Sequence, residues 1–342
     1  MKKISFFSFF VLAIIAIVFW GGCKNYKKLN DELIAQSIYY LAEQQTVRLS
    51  GLINSELRIL KTLANIMGEY EGIPVEQRRD RFDYMLLSAL SNEPDIVTIY
   101  TVWKPNALDG MDSRYIGRVG SSPTGQYAIA YSGERWKTVA KTYENIINIM
   151  AHIHGPNARE VSVDHPTPLT IDGRDTYVVN MMVPIVNQRT METVGGVGFL
   201  LDINIIQSII NKTVKSREER AKEFDIARSV FQRTGTMLES FWDRDYEEIA
   251  AMEVYSSNGA IIGSVFPDRI GKMLVDADVT FYGDNIRSAY NAILERKHYN
   301  FRSFVPYLEK EAEIVMFSFF IPNSNLAWTI MIATPVDYWW KK

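Results

Sequence analysis

The chain has 342 residues, 47% of them hydrophobic and 12% aromatic, enough for one large core or two ordinary ones, which excludes wholesale disorder. Its formal net charge is −3 and no basic stripe stands out, which argues against a nucleic-acid partner. A single cysteine, Cys23, excludes an intrachain disulfide and a thiolate metal cluster.

Lys2 and Lys3 precede an apolar run from Ile4 to Gly22, about the length needed to cross a bilayer. Three readings of residues 1–23 compete. A cleaved signal peptide wants a small-x-small site, for which Trp20 before Gly21-Gly22 is poor. A lipoprotein would be modified at Cys23, again behind the bulky pair Phe19-Trp20. An uncleaved transmembrane anchor with Trp20 at the interface fits best. From Asn30 to Gly68 the positions Ile34, Ile38, Leu41, Leu49, Leu52, Leu60, Leu63 and Met67 follow mixed three-and-four spacing. That spacing predicts one long amphipathic helix, a stalk over residues 24–72 that ends at Gly72-Ile73-Pro74. A shorter helix is expected from Val75 to Leu90.

Ile96 to Trp103 is dense in β-branched and aromatic residues and predicts a strand, which Pro105-Asn106 and Asp109-Gly110 stop abruptly. Gln126 to Tyr131 predicts a short strand. Arg135 to Met150 is expected to be helical, with Val139, Tyr143, Ile146, Ile147 and Met150 on one side. Glu160 to Asp164, Arg174 to Val186 and Thr193 to Asp202 then read as strands, with Asp172-Gly173 as the hairpin turn between the first two. Such an order predicts an antiparallel sheet with the helices segregated to one side. Ile203 to Trp242 predicts a second long helix leading to a smaller sheet. Its strands are Met252 to Tyr255, Ile261 to Val265 after a turn at Asn258-Gly259, Tyr299 to Val305, Glu313 to Ile321 and Leu326 to Ala333, with a helix from Asn285 to Glu295. The second unit loosely repeats the order of the first. Tyr338-Trp339-Trp340-Lys341-Lys342 reads as an interfacial end.

After its aromatic-rich strand, the set Trp103, Pro105, Asn106, Asp109, Gly110 and Asp112 spells Trp-x-Pro-Asn-x-x-Asp-Gly-x-Asp. This resembles the signature of the double Cache sensor domains of bacterial methyl-accepting chemotaxis receptors. Three further strings are similar to that family: Met182-Val183-Pro184-Ile185 with Gly195-Gly196-Val197-Gly198 before Asp202-Ile203; Asn258-Gly259 before Ile270-Gly271; and Ile321-Pro322-Asn323 before the last strand. The resemblance covers nearly everything after the apolar run. It implies an α+β fold, with a long N-terminal stalk helix and two tandem PAS-like antiparallel-sheet modules. The membrane-distal module would span 73–240, the membrane-proximal one 241–337, and 338–342 would be a juxtamembrane end. It further implies an extracytoplasmic, periplasmic domain of an inner-membrane receptor, dimeric through its stalk helix, that senses a small solute. The alternatives are a membrane-tethered solute-binding lipoprotein, or the sensor part of a histidine kinase or cyclase.

No catalytic set is visible, so no enzyme activity and no cofactor is expected. Gly195-Gly196-Val197-Gly198 precedes a strand end rather than opening a helix, so close packing inside a sheet is the better reading than a phosphate loop. His152-x-His154 with Asp164 and His165 could supply zinc ligands, but histidines satisfied by local hydrogen bonds are commoner, and no metal is expected. Asp109 and Asp112 lack the ligand pattern of a calcium loop and are read as turn residues that bond the backbone. The ligand candidates are Tyr127, Tyr131, Arg135, Trp136, Asp164 and Asp202. A guanidinium would take a ligand carboxylate, a carboxylate would take its ammonium, and aromatic walls would exclude water. The expected partner is thus an organic acid, an amino acid or an amine. The amino-acid-sensing members of the family have Tyr, Arg-x-Trp-Tyr, Tyr-x-Asp and a final Asp. Here Asp202 and Asp164 match, whereas Trp136 follows Arg135 directly and Ser162 stands in place of the second Tyr.

Overall fold

The computed structural model describes residues 6–133, 139–171, 174–214, 249–277, 283–305 and 310–336; of residues 6–34, 37, 171, 174 and 277 it describes the backbone alone. Helix α1 (Phe6–Gly68) runs for 63 residues, roughly 95 Å at 1.5 Å per residue. Its buried stripe is Ile38, Leu41, Ala42, Leu49, Ile53, Leu57, Leu60, Ala64 and Met67, the predicted three-and-four spacing carried through. The helix ends earlier than Gly72-Pro74, at Gly68, followed by a 3-10 turn at Tyr70–Gly72. A side chain at 68 would run into the Val186 carbonyl, so glycine lets the helix end abut a strand. Of the apolar run from Ile4 to Gly22, residues 4 and 5 lie outside the described residues and only the backbone of the rest is described. Among the described residues no helix is long and apolar enough to cross a membrane.

After α2 (Arg78–Asn92), the first sheet contains β1 (Ile96–Trp103), β2 (Ala128–Ser132), β3 (Val139–Thr142), β4 (Ser162–Val163), β5 (Thr167–Ile171), β6 (Arg174–Val186) and β7 (Thr193–Asp202). Its order is β3-β2-β1-β7-β6-β4, with β5 also on β6, and every pairing is antiparallel. Strands β1, β6 and β7 fall on their predicted bounds. The predicted turn at residues 172–173 lies outside the described residues, but the strands that flank it pair, Ile171 with Arg174. Its first strand is β5, however, not the expected Glu160–Asp164. Ser162 and Val163 instead pair farther along β6, with Met182 and Met181. Pro168 disguises β5, an edge position where proline is tolerated.

Two other expectations are corrected. Residues 139–142 form strand β3 rather than helix, and the helix α3 is only Ile146–His154. Val139 and Ile147 are exposed, so the supposed apolar side does not exist. The helices are also not confined to one side. Ile99 and Trp103 of β1, Ile129 of β2 and Phe199 of β7 face α1 and α2, while Tyr100, Val102 and Ala130 face α3. The alternation of side chains along each strand enforces the split.

Helix α4 (Asn204–Thr213) leads on from β7. The rest of the predicted Ile203–Trp242 helix, from residue 215, lies outside the described residues, as do the expected boundary at 240/241 and residues 338–342. The second sheet has β8 (Ala251–Tyr255), β9 (Ile261–Ser264), β10 (Tyr299–Val305), β11 (Lys310–Phe320) and β12 (Ala327–Pro335), in the order β10-β11-β12-β8-β9. Replacing each strand by its counterpart gives β5-β6-β7-β1-β2, so the first sheet repeats in the second. A helix at Ile286–Leu294 (α5) covers its far face through Ala289 and Ile293. Helix α1 packs on β6 and β7 of the first sheet and on β11 and β12 of the second.

The loop after β1 is pinned by Arg79 of α2. Its Nε donates to Asp109 Oδ2 (2.6 Å) and one terminal nitrogen to Asp112 Oδ1 (2.9 Å), all three side chains being buried. Asp109 Oδ1 also accepts from Met111 N (2.9 Å), and Asp112 Oδ2 from Asn106 N (2.6 Å), so both aspartates are turn residues as read. Replacing Arg79 by Met would leave two buried carboxylates unpaired. The expected loss is about 3–5 kcal/mol in urea unfolding at neutral pH. A loss under about 1 kcal/mol, the range of an exposed pair, would contradict the pinning role.

Candidate functional site

Of the six predicted ligand residues, the four that are described divide between the two faces of the first sheet. Tyr127 and Tyr131 share the α2 face with Ile129. The Tyr127 hydroxyl donates to Asp83 Oδ1 (2.5 Å), and Tyr131 bonds the same carboxylate. Burial raises the Asp83 carboxyl, with the two tyrosine bonds pulling the other way. Burial also pushes the Tyr127 and Tyr131 hydroxyls well up. These tyrosines therefore belong to the seam that fixes α2 on the sheet, beside Arg79, which stacks over Tyr115 at 3.7 Å and Tyr127 at 5.2 Å. They do not stand with the aspartates. Arg135 and Trp136 lie outside the described residues.

Asp164 and Asp202 lie on the opposite face, beside different edges of β6. Tyr100 pairs with Gly198, so Tyr100, Asn180, Gly198, Thr176 and Asp202 all project toward the α3 side. A polar row runs across that face. The Tyr100 hydroxyl donates to Asn180 Oδ1 (2.7 Å), and Asn180 Nδ2 donates to Asp164 Oδ2 (2.8 Å). Asp202 Oδ1 accepts from the Thr176 hydroxyl (3.0 Å) and from Asn204 N (2.9 Å) at the start of α4. Tyr143 stacks on Tyr100, with ring centroids 3.9 Å apart and 10° between planes. Burial pushes the Tyr143 hydroxyl up to about 12 and that of Tyr100 well above its usual value, so both stay protonated donors.

On this face Ile149 and Ile153 of α3 form one packed cluster with Tyr100, Val102, Ala128, Tyr143 and Met182. The row leads out of that cluster, with Tyr100, Asn180 and Asp202 buried and Asp164 exposed at its outer end. Asn180 is locked between one donor and one acceptor, so it presents Asp164 in a fixed orientation. Two carboxylates and a paired tyrosine wall suit a group that donates hydrogen bonds and carries positive charge.

The glycines behave as read. Gly195 lies against the backbone of Val102 and Trp103, Gly196 against Met182 and Ile149, and Gly198 under the Tyr100 ring. His152 meets the Glu160 carbonyl through Nε2 at 2.9 Å, a local partner of the kind expected. Among the described residues no group of three or more His, Cys, Asp and Glu side chains could hold a metal ion. A separate cleft of about 540 Å³ opens between Lys104, Ile153, Arg159, Met191 and Val194. None of the four described candidates lines it.

Tyr100, Tyr143, Thr176 and Asn180 were not among the candidates. Asn180 had a signal, a lone amide in the apolar run Val178-Val179-Asn180-Met181-Met182. Tyr100 had one too: it alternates with the packed positions Ile99 and Thr101.

Three solved structures align over nearly their whole length. The extracellular domain ascribed to the histidine kinase mmHK1S-Z2 matches with a TM-score of 0.63 at 15% identity, covering 88% of this chain and 97% of that one. The fold is that of extracytoplasmic Cache-type sensory domains. The periplasmic sensory domain of the Campylobacter jejuni chemoreceptor Tlp1 matches with a TM-score of 0.58 at 15% identity, over 91% and 98% of the two chains. The ligand-binding domain of the Pseudomonas aeruginosa amino acid chemoreceptor PctC, solved with GABA, gives 0.50 at 8% identity, over 88% and 99%. No family model matches the chain, and no curated protein matches its sequence.

Gly198→Ala probes the row without removing a polar group. The added methyl would meet the Tyr100 hydroxyl and the Met181 carbonyl. The expected cost is about 1–3 kcal/mol in urea unfolding, with a changed near-ultraviolet tyrosine signal. A cost under about 0.5 kcal/mol, typical of an unconstrained site, would show that Tyr100 is not held there.

Proposed function

We propose that this chain is an extracytoplasmic ligand-sensing domain of a transmembrane signalling protein, and that it binds a small solute bearing an ammonium group. The observation that carries the reading is the row Tyr100–Asn180–Asp164, which ends in an exposed carboxylate on the sheet face that also holds Asp202. An ammonium would donate to Asp164 while the paired rings of Tyr100 and Tyr143 close one wall. Amines and amino acids fit this chemistry better than plain organic acids. The domain is a binding module rather than a catalyst: it offers acceptors and an aromatic wall, without a paired nucleophile and base.

The remaining parts follow from the same reading. The run Ile4 to Gly22 anchors the chain in the inner membrane, and the sensor lies in the periplasm. α1 leaves Tyr40, Val47 and Asn54 exposed at seven-residue spacing, which supports pairing of two copies along the stalk. The output module is that of a chemoreceptor or of a histidine kinase, since sensory domains of both types share the fold. A lipid on Cys23 would favour a tethered binding lipoprotein instead.

Thermal-shift screening of the full chain against primary amines, amino acids and organic acids tests the proposal. A ligand at 100 times its Kd adds about 2.7 kcal/mol. Asp164→Asn is expected to weaken the best amine about 10- to 100-fold, the worth of a charge-assisted hydrogen bond. Arg159→Ala, in the separate cleft, is expected to leave the affinity unchanged. Loss of binding in Arg159→Ala with none in Asp164→Asn would move the site to that cleft and overturn the proposal.

A further inference from the structure

One carboxylate in α1 stands where the apolar stripe demands a hydrocarbon. Glu56 is 7% exposed, and its helical neighbours one turn away, Leu52, Ile53, Ile59 and Leu60, are all apolar. Its Oε2 is buried with no hydrogen-bond partner among the described residues. The charged groups that bear on it from the packed elements are Glu93, just past the end of α2, and Asp95, in the turn before β1. Both are acidic. The same turn is tied to β7, because Asp202 N donates to the Asp95 carbonyl at 3.0 Å.

An ionised carboxylate in this position lacks a partner for a buried oxygen and faces two like charges. Either condition alone disfavours the charged form. The protonated acid relieves both, and its hydroxyl can donate to a nearby acceptor.

We propose that Glu56 is a proton-responsive seat between α1 and the first sheet, so that the helix docks more firmly on the start of β1 when this carboxyl is protonated. Burial, then Glu93, then Asp95 push the carboxyl up to about 7 from an ordinary value of 4.5. The seat therefore changes state near neutral pH. The folded chain holds this proton to higher pH than the unfolded chain does. The stability it contributes is complete below the unfolded value and is lost as pH rises toward 7. The Asp95–Asp202 contact carries the change to the sheet face, which makes the sensor responsive to acidity independently of any solute.

The test is urea unfolding of the full chain between pH 4.5 and 8.5, comparing the native chain with Glu56→Gln and with the double variant Glu93→Gln/Asp95→Asn. Across that range the folding constant of the native chain should fall relative to Glu56→Gln by up to about 300-fold, the ratio implied by a carboxyl moved from 4.5 to about 7. In the double variant the fall should be smaller and should finish at lower pH. Parallel curves for the native chain and Glu56→Gln would overturn the proposal. Should Glu56→Gln fail to fold, the double variant decides alone: a pH profile identical to that of the native chain contradicts it.

Discussion

A single helix here has to bury one apolar stripe against two sheets at once. Leu49, Ile53, Leu57 and Leu60 of α1 are all fully or almost fully buried, each worth about 1.5–3 kcal/mol when removed from water. Because the same stripe continues from Ile38 to Met67, neither sheet can shift along the helix without exposing part of it. Gly68 sets the register at one end, where the helix abuts Val186. Elsewhere Thr213 of α4 bonds Gln45 of α1 at 3.3 Å, and the Val161 amide reaches the Asn323 carbonyl of the second sheet at 3.1 Å. A movement of α1 is thereby felt by both sheets, which is the property a signalling stalk needs.

The pleat of the first sheet then separates two kinds of polar chemistry that the sequence interleaves. Toward α2, Arg79, Asp109, Asp112, Asp83, Tyr127 and Tyr131 satisfy one another in a closed seam. Such buried ion pairs are costly to break and give specificity of packing more than net stability. Toward α3, the row from Tyr100 through Asn180 ends in the exposed Asp164. The glycines of β7 make it possible, since any side chain at Gly198 would occupy the space of the Tyr100 ring.

The fold was legible because β-branched density and turn punctuation mark β1, β6 and β7 so sharply. β5 and β3 were not, for distinct reasons: Pro168 interrupts one, and the other is an exposed edge strand whose side chains carry no buried pattern. Of the candidate residues, Asp164 and Asp202 lie on one face of the sheet and Tyr127 and Tyr131 on the other. Tyr127 and Tyr131 were drawn to the aspartates by residue type, although Ile129 between them already marks their face as packed. Arg79 carried no signal at all, since its partners lie 30 and 33 residues away. Glu56 was hidden by the very helical pattern that it interrupts.

The central claim is that solute binds on the α3 face and that α1 responds. Hydrogen–deuterium exchange of the full chain, with and without the tightest amine from the screen, addresses it most directly. The account predicts added protection over residues 160–181 and 196–206, with a change in α1 near residues 53–60, and none at the Tyr127–Asp83 seam of α2. Protection confined to α2 and residues 109–127, or to the cleft around Lys104 and Arg159, would contradict it.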